Sequence, residues 1–157
     1  TIVASMAEQT SGDYTTLYVP DNVSETTYDN LMQEPSVLHT LDIIKQSNIT
    51  IHGIGDALKI ARQRHSTQDV LEKLQHHHAV GEAFGYYFDE QGHIVHKVKT
   101  IGLQLEDLES KAYIFAAAGG KSKGEAIKAY LTIAPKNTVL ITDESAAKVI
   151  TEVSNKK

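Results

Sequence analysis

The chain contains no cysteine. Disulfides, thiolate metal ligands and a cysteine nucleophile are therefore excluded. It has no apolar run approaching the roughly 20 residues of a membrane span. It has no excess of positive charge either: 15 Lys and Arg stand against 20 Asp and Glu, a net charge of −5. That balance argues against a direct grip on nucleic-acid phosphates, which needs a basic face. The opening Thr1-Ile2-Val3-Ala4-Ser5 has no initiator Met and no basic n-region, so it does not read as a signal peptide. It reads as the middle of a helix, and the chain is expected to begin inside a larger protein. What is present is ordinary for a folded domain: 41% apolar and 22% charged residues over 157 positions, the length of one domain or a fragment of one.

Charge is unevenly placed. Residues 1–60 hold eight acids (Glu8, Asp13, Asp21, Glu25, Asp29, Glu34, Asp42 and Asp56) against Lys45 and Lys59. The remaining residues hold thirteen Lys or Arg and twelve acids. An anionic small ligand is to be sought in that second part.

The order of elements suggests an α/β fold. Residues 1–9 read as helix, stopped at Ser11-Gly12, with Gly12 as the residue that tolerates a positive φ. Thr15–Val19 is strand-like and ends at Pro20. Ser24 suits the N-cap of a helix over Glu25–Gln33. Pro35 suits the first turn of the next, with Val37, Leu38, Leu41, Ile43 and Ile44 at helical spacing to about Ser47. Ile49–His52 reads as strand, followed by a Gly53-Ile54-Gly55 loop and a helix carrying Ala57, Leu58, Ile60 and Ala61. Another helix lies within Thr67–His78, capped by Ser66 or Thr67. Ala83–Phe88 reads as strand, Asp89–Gly92 as turn and Ile94–Val98 as the return strand of an inserted hairpin. Residues 105–110 suit a short helix. Ala112–Ala118 is a continuous apolar run, the pattern of a parallel strand buried on both faces. A helix over Gly124–Ile133, a strand over Thr138–Thr142 and a helix over Ser145–Val153 complete the series. The expected architecture is a largely parallel sheet with flanking helices and an inserted β-hairpin.

Three stretches carry chemistry. In Ala116-Ala117-Ala118-Gly119-Gly120-Lys121-Ser122-Lys123 a buried strand ends in two glycines and a helix follows. Ligands of open α/β sheets sit at such strand ends, and a helix N-terminus suits a phosphate. The plain alternative is a βα turn with solvated lysines. No Walker loop is present. In Ile49–Asp56 a strand again runs into glycines and a helix, but the third glycine of a dinucleotide fingerprint is missing. That helix ends in Arg62-Gln63-Arg64. An arginine there either complements the helix dipole or reaches a ligand with paired donors. In Val80–Phe88, Glu82 is one charge among small and apolar residues. It lies at the surface, or it is buried with a partner or a ligand hydroxyl to accept from, such as a sugar's, because an unpaired buried carboxylate is costly. His76-His77-His78, His93 and His96 have no metal-motif spacing and read as surface or structural positions. No Gly-x-Ser-x-Gly elbow supports a hydrolase.

Several segments together resemble the sugar-binding domain of SorC-type bacterial transcription regulators. They are Ile51–Ala57, Ala61–Arg64, Ala79–Phe88, Ala117–Lys123, Glu125–Tyr130 and Asn137–Glu144, and the likeness is greatest to members that control glycolytic genes. The resemblance implies a Rossmann-like fold related to sugar-phosphate isomerases and deaminases. It implies a phosphorylated sugar effector, such as fructose 1,6-bisphosphate, that is bound and not transformed, with no cofactor, no metal and no catalytic residue. The effector-binding residues it implies are Arg64 (with Arg62 as the alternative), Glu82 and Lys123, with the Gly53, Gly55, Gly119 and Gly120 loops. It also implies self-association as dimers or tetramers, a cytoplasmic protein and operator DNA bound through an N-terminal domain that this chain lacks. The family's Gly-Gly-Thr phosphate loop, and the arginine and glutamine after it, have no counterpart in residues 1–157. The chain is therefore expected to be the C-terminal part of the effector domain. The other reading is an isomerase-like enzyme on the same architecture, for which Glu82 is the candidate acid or base.

Overall fold

A computed structural model of the chain describes residues 1–152. Side-chain caps start most of the helices, each satisfying an N–H that the helix itself leaves free. Thr1 caps α1 (Ile2–Thr10), Ser24 caps α2 (Glu25–Leu31) and Thr67 caps α5 (Gln68–His76). Asp56 caps α4 (Ala57–Gln63) and Asp143 caps α7 (Glu144–Thr151). Helix α3 (Pro35–Gln46) starts instead on Pro35, whose missing N–H is no loss in a first turn. Helix α6 spans Gly124–Ile133. The predicted end of the last helix at Val153 lies outside the described residues.

Two sheets organise the molecule. β1 (Ile49–Gly53), β6 (Tyr113–Ala117) and β7 (Thr138–Ile141) form a parallel sheet in the order β1-β6-β7. β2 (Gly55–Asp56), β3 (Gly81–Ala83), β4 (Tyr86–Phe88) and β5 (Ile94–Lys97) form an antiparallel sheet in that order. The fold is thus mixed α/β with a parallel sheet, as expected. The hairpin part is a larger sheet of its own, because β2 joins it.

Four local expectations are corrected. Thr15–Val19 forms no strand; the segment from Gly12 to the α2 cap has no regular structure. It packs through Leu17, Val19 and Val23 against Val37, Leu41 and Ile101. Helix α1 is stopped by Ser11 at φ 54°, not by Gly12. Ala83–Phe88 is not one strand: Phe84 (φ 55°) and Gly85 (φ 85°) make a two-residue turn between β3 and β4. Positive φ at both central residues is what a type I′ hairpin requires, and Gly85 supplies it without steric cost. Finally, β6 is buried on one face only.

That last point shapes the molecule. Ile114 and Ala116 of β6 are buried, and the core around Ala116 includes Ile127 and Tyr130 of α6 and Ala146 of α7. On the opposite face Ile49, Ile51, Tyr113, Val139 and Ile141 are each about half exposed. The apolar run of β6 has the pattern of a strand buried on both faces, as parallel strands usually are. Helix α1, through Ile2, Val3 and Met6, approaches that face over Ile51 and Ala117, and Tyr14, Leu17 and Ile43 approach it near Ile49, but neither covers it. In the predicted stripe of α3, Val37 and Leu41 are buried while Leu38 and Ile43 stay exposed.

One buried charge ties the layers. Lys111 is 3% exposed, and its ammonium donates to the carbonyls of Ile44, Lys45 and Ser47 at 2.8–2.9 Å. It closes the C-terminal end of α3, where free carbonyls and the negative end of the dipole favour a cation.

Candidate functional site

The site is built where the two sheets meet. β1 ends at Gly53, in register with Ala117 at the end of β6. The chain then passes through buried Ile54 and adds Gly55 and Asp56 to the edge of β3, with Gly55 opposite Glu82. Asp56 caps α4 by accepting from the Lys59 N–H at 2.9 Å. The helix lasts two turns and leaves Arg64 at its C-cap.

Arg64 turns back over the hairpin sheet. Its Nη1 lies 3.0 Å from Oε1 of Glu82 and donates to the Tyr87 hydroxyl at 3.2 Å. Its Nε donates to Oδ2 of Asp21 at 2.8 Å. The side chains of Arg64 and Glu82 are 14% and 7% exposed, whereas Asp21 is 71% exposed. Burial opposes the guanidinium charge, but the bond it donates to Asp21 and the nearby Glu82 outweigh it, so Arg64 is held above its ordinary pKa. Burial also pushes the Tyr87 phenol up, against the downward pull of Arg64.

Glu82 is fixed from a second side. Its Oε1 accepts the Gly85 N–H at 2.6 Å, which links the carboxylate to the hairpin turn. Among the described residues no group donates to Oε2, which faces Gly55. A Cβ at Gly55 would lie 3.6 Å from that oxygen and would collide with Ile60. Only glycine fits here, because Ile60 already fills the place a side chain would take beside Glu82. The sequence reading left Glu82 either at the surface or buried with a partner; it is buried, and its partner is Arg64. Arg62 is exposed and forms no ion pair among the described residues, whereas Arg64 meets Glu82.

The second glycine loop is arranged differently. Gly120 donates its N–H to Oδ2 of Asp143 at 2.6 Å, while Oδ1 of Asp143 accepts from the Ala146 N–H at 2.9 Å. One carboxylate therefore joins the loop to the α7 cap. These bonds hold it below the ordinary carboxylate pKa, the Ala146 N–H foremost. An anion at this loop would have to take the N–H groups beyond Gly120. A 3-10 turn, Lys121–Lys123, follows and lies against β2. Lys123 is half-buried, and no carboxylate pairs with it among the described residues.

A further polar pair lies at the end of β1. Nδ1 of His52 is 2.9 Å from the Gly53 carbonyl and Nε2 is 2.8 Å from the Tyr130 hydroxyl. A carbonyl only accepts, so Nδ1 carries the proton, Nε2 accepts, and Tyr130 donates. Burial lowers the His52 pKa and pushes Tyr130 up to about 12. Phe84 packs on the imidazole at 4.6 Å between ring centroids.

The structure thus joins Arg64 to Glu82, sets Gly55 beside them, and brings the Lys121–Lys123 turn against β2. Asp21, Tyr87 and Asp143 are contacts the sequence reading did not single out. Asp143 alone had a local signal, an Asp directly before a helix. His76, His77 and His78 are exposed, and no metal-binding group forms among the described residues.

Comparison with known proteins was consistent across sequence and structure. A family model described as "Putative sugar-binding domain" matches residues 1–152. The "Central glycolytic genes regulator" of Priestia megaterium is 50% identical over 148 residues, covering 94% of this chain and 43% of that protein. Its namesake in Bacillus subtilis is 48% identical over the same shares. A crystal structure described as a "putative SorC family transcriptional regulator from Enterococcus faecalis" superposes with a TM-score of 0.89 at 48% identity, covering 96% of this chain and 61% of that one. The chain spans less than half the length of the curated relatives it matches.

Proposed function

The chain belongs to the sugar-binding domain family, and we propose that it is the effector-sensing part of a bacterial repressor of glycolytic genes. The effector in this reading is a phosphorylated sugar such as fructose 1,6-bisphosphate. The observation that carries the reading is the Arg64–Glu82 pair: a buried guanidinium and carboxylate, 3.0 Å apart, at the end of the β1-Gly53-Ile54-Gly55 passage. A guanidinium recognises a phosphate through paired donors. Oε2 of Glu82, without a protein donor among the described residues, accepts from a sugar hydroxyl. Lys123 adds a charge from the turn against β2, with Gly53, Gly55, Gly119 and Gly120 shaping the loops.

The ligand is bound and not transformed. An isomerase needs an acid or base free to exchange protons with substrate. Glu82 is instead tied to Arg64 and the Gly85 N–H. The relatives found here are named as transcription regulators, not enzymes.

The relatives are more than twice as long as the matched segment, and the parallel sheet keeps an apolar face open. Both support a domain completed by further residues of a longer protein, which in this reading is cytoplasmic. That protein reaches operator DNA through a separate N-terminal part and associates as dimers or tetramers. The net charge of −5 agrees with DNA contact lying elsewhere.

An operator-binding assay on the full-length protein tests this. Fructose 1,6-bisphosphate is expected to weaken the DNA complex, because a ligand shifts the equilibrium only if it prefers the DNA-weak state. An unchanged complex at saturating effector, or turnover of ketose or aldose phosphates, overturns the reading.

A further inference from the structure

Asp21 holds one edge of the Arg64 guanidinium. The bidentate edges of a guanidinium are Nη1/Nη2 and Nε/Nη2. In Arg64 the first is compromised, since Nη1 is committed to Glu82 and Tyr87 inside the protein. The second is the edge left for a phosphate, and Asp21 holds its Nε at 2.8 Å. Nη2 has no partner among the described residues.

Charge points the same way. With Asp21 and Glu82 both present, one cation faces two carboxylates, a net charge of −1. A phosphate added to that group meets like charge. Glu82 cannot leave, because it is 7% exposed and bonded to Gly85. Asp21 can, because it is 71% exposed on a segment without regular structure. Neutral hydroxyls are weak competitors for a guanidinium that already holds a carboxylate; an anion is a strong one.

We propose that Asp21 is a specificity-determining gate: it occupies Arg64 in the free protein and yields only to an anionic group, so that phosphorylated sugars are admitted and neutral sugars are not. The Asp21 segment runs directly into Ser24, the cap of α2, and Glu25 of that helix pairs with Lys99. Release of Asp21 removes one of two ion pairs joining the α2 region to the segments around the hairpin sheet.

The inference rests on the sugar-phosphate reading above. It is tested by calorimetric titration of fructose 1,6-bisphosphate into the full-length protein, wild type and variants. Asp21→Asn is expected to tighten binding by about 2- to 5-fold, the range of an ion pair with one exposed partner. Asp21→Ala, which removes the amide acceptor too, is expected to tighten it at least as much. If Asp21 served only to orient Arg64, both variants would bind more weakly. Binding to wild type with unchanged or weaker binding to both variants overturns the gate alone. Absence of binding to the wild type overturns the reading beneath it as well.

Discussion

Arg64 and Glu82 are 18 residues apart in the chain and meet as a buried ion pair at 3.0 Å, one at the end of α4 and the other in β3. The pair locks a helix end to the hairpin sheet. In the sugar-phosphate reading its two members have separable roles, and each is open to test.

Glu82→Gln keeps the shape and removes the charge. Loss of the charged bonds to Arg64 and Gly85 is expected to cost about 1.5–3 kcal/mol of stability, measured by urea denaturation. Sugar phosphates are expected to bind more weakly, while inorganic phosphate binds as before or more tightly, because a negative charge is gone. An equal loss for both ligands would mean that the variant only damages the fold.

Lys123→Ala removes a half-buried cation from the turn beside β2. It is expected to cost about 1.5–3 kcal/mol of bisphosphate affinity by calorimetry, the range for a hydrogen bond to a charged group. Unchanged affinity would take Lys123 out of the site. The Gly120 N–H is already spent on Asp143, so the proposed site relies at this loop on Lys123 more than on the Gly119-Gly120 backbone.

Lys111→Met tests the closure of α3. Three carbonyls, those of Ile44, Lys45 and Ser47, lose their shared donor. The expected cost is about 2–3 kcal/mol in urea denaturation, since buried acceptors left unpaired lose their desolvation energy. A change under about 0.5 kcal/mol would show that water replaces the ammonium.

The sequence displayed the fold better than the contacts. The caps Ser24 and Thr67, the α3 start at Pro35 and the two strand–glycine–helix units stand at their expected places because they depend on neighbours a few positions away. Gly85 signalled a turn, yet the apolar letters around it read as continuous strand. β6 read as doubly buried because composition cannot say whether an apolar face finds a cover. Glu82 was conspicuous, a lone acid among apolar residues. Its partner was not, because nothing local distinguishes Arg64 from Arg62; the two-turn length of α4 makes that choice. Asp21, Lys111 and Tyr87 act across 43, 64 to 67 and 23 residues, respectively, which no periodicity reports.

The His52–Tyr130 pair gives stability a pH dependence. Burial lowers the His52 pKa below its ordinary 6.5, and burial does the same to His96. In each case the unfolded chain takes up its proton first as pH falls. Stability is therefore full above about 6.5, declines as pH drops through the lowered native values, and levels off beneath them. His52→Gln is expected to flatten part of that decline in denaturant unfolding measured from pH 5 to 8. An identical slope in the variant would assign the effect elsewhere.

The central claim is that Arg64 binds the phosphate of a sugar effector, and one comparison tests it most directly. Fructose 1,6-bisphosphate is titrated calorimetrically into full-length wild type and Arg64→Lys, which keeps the positive charge beside Glu82 but loses the planar fork. The account predicts saturable binding to the wild type and affinity weakened about tenfold or more in the variant, with the fold intact by circular dichroism. No saturable binding to the wild type, or equal affinity in the two proteins, would contradict it.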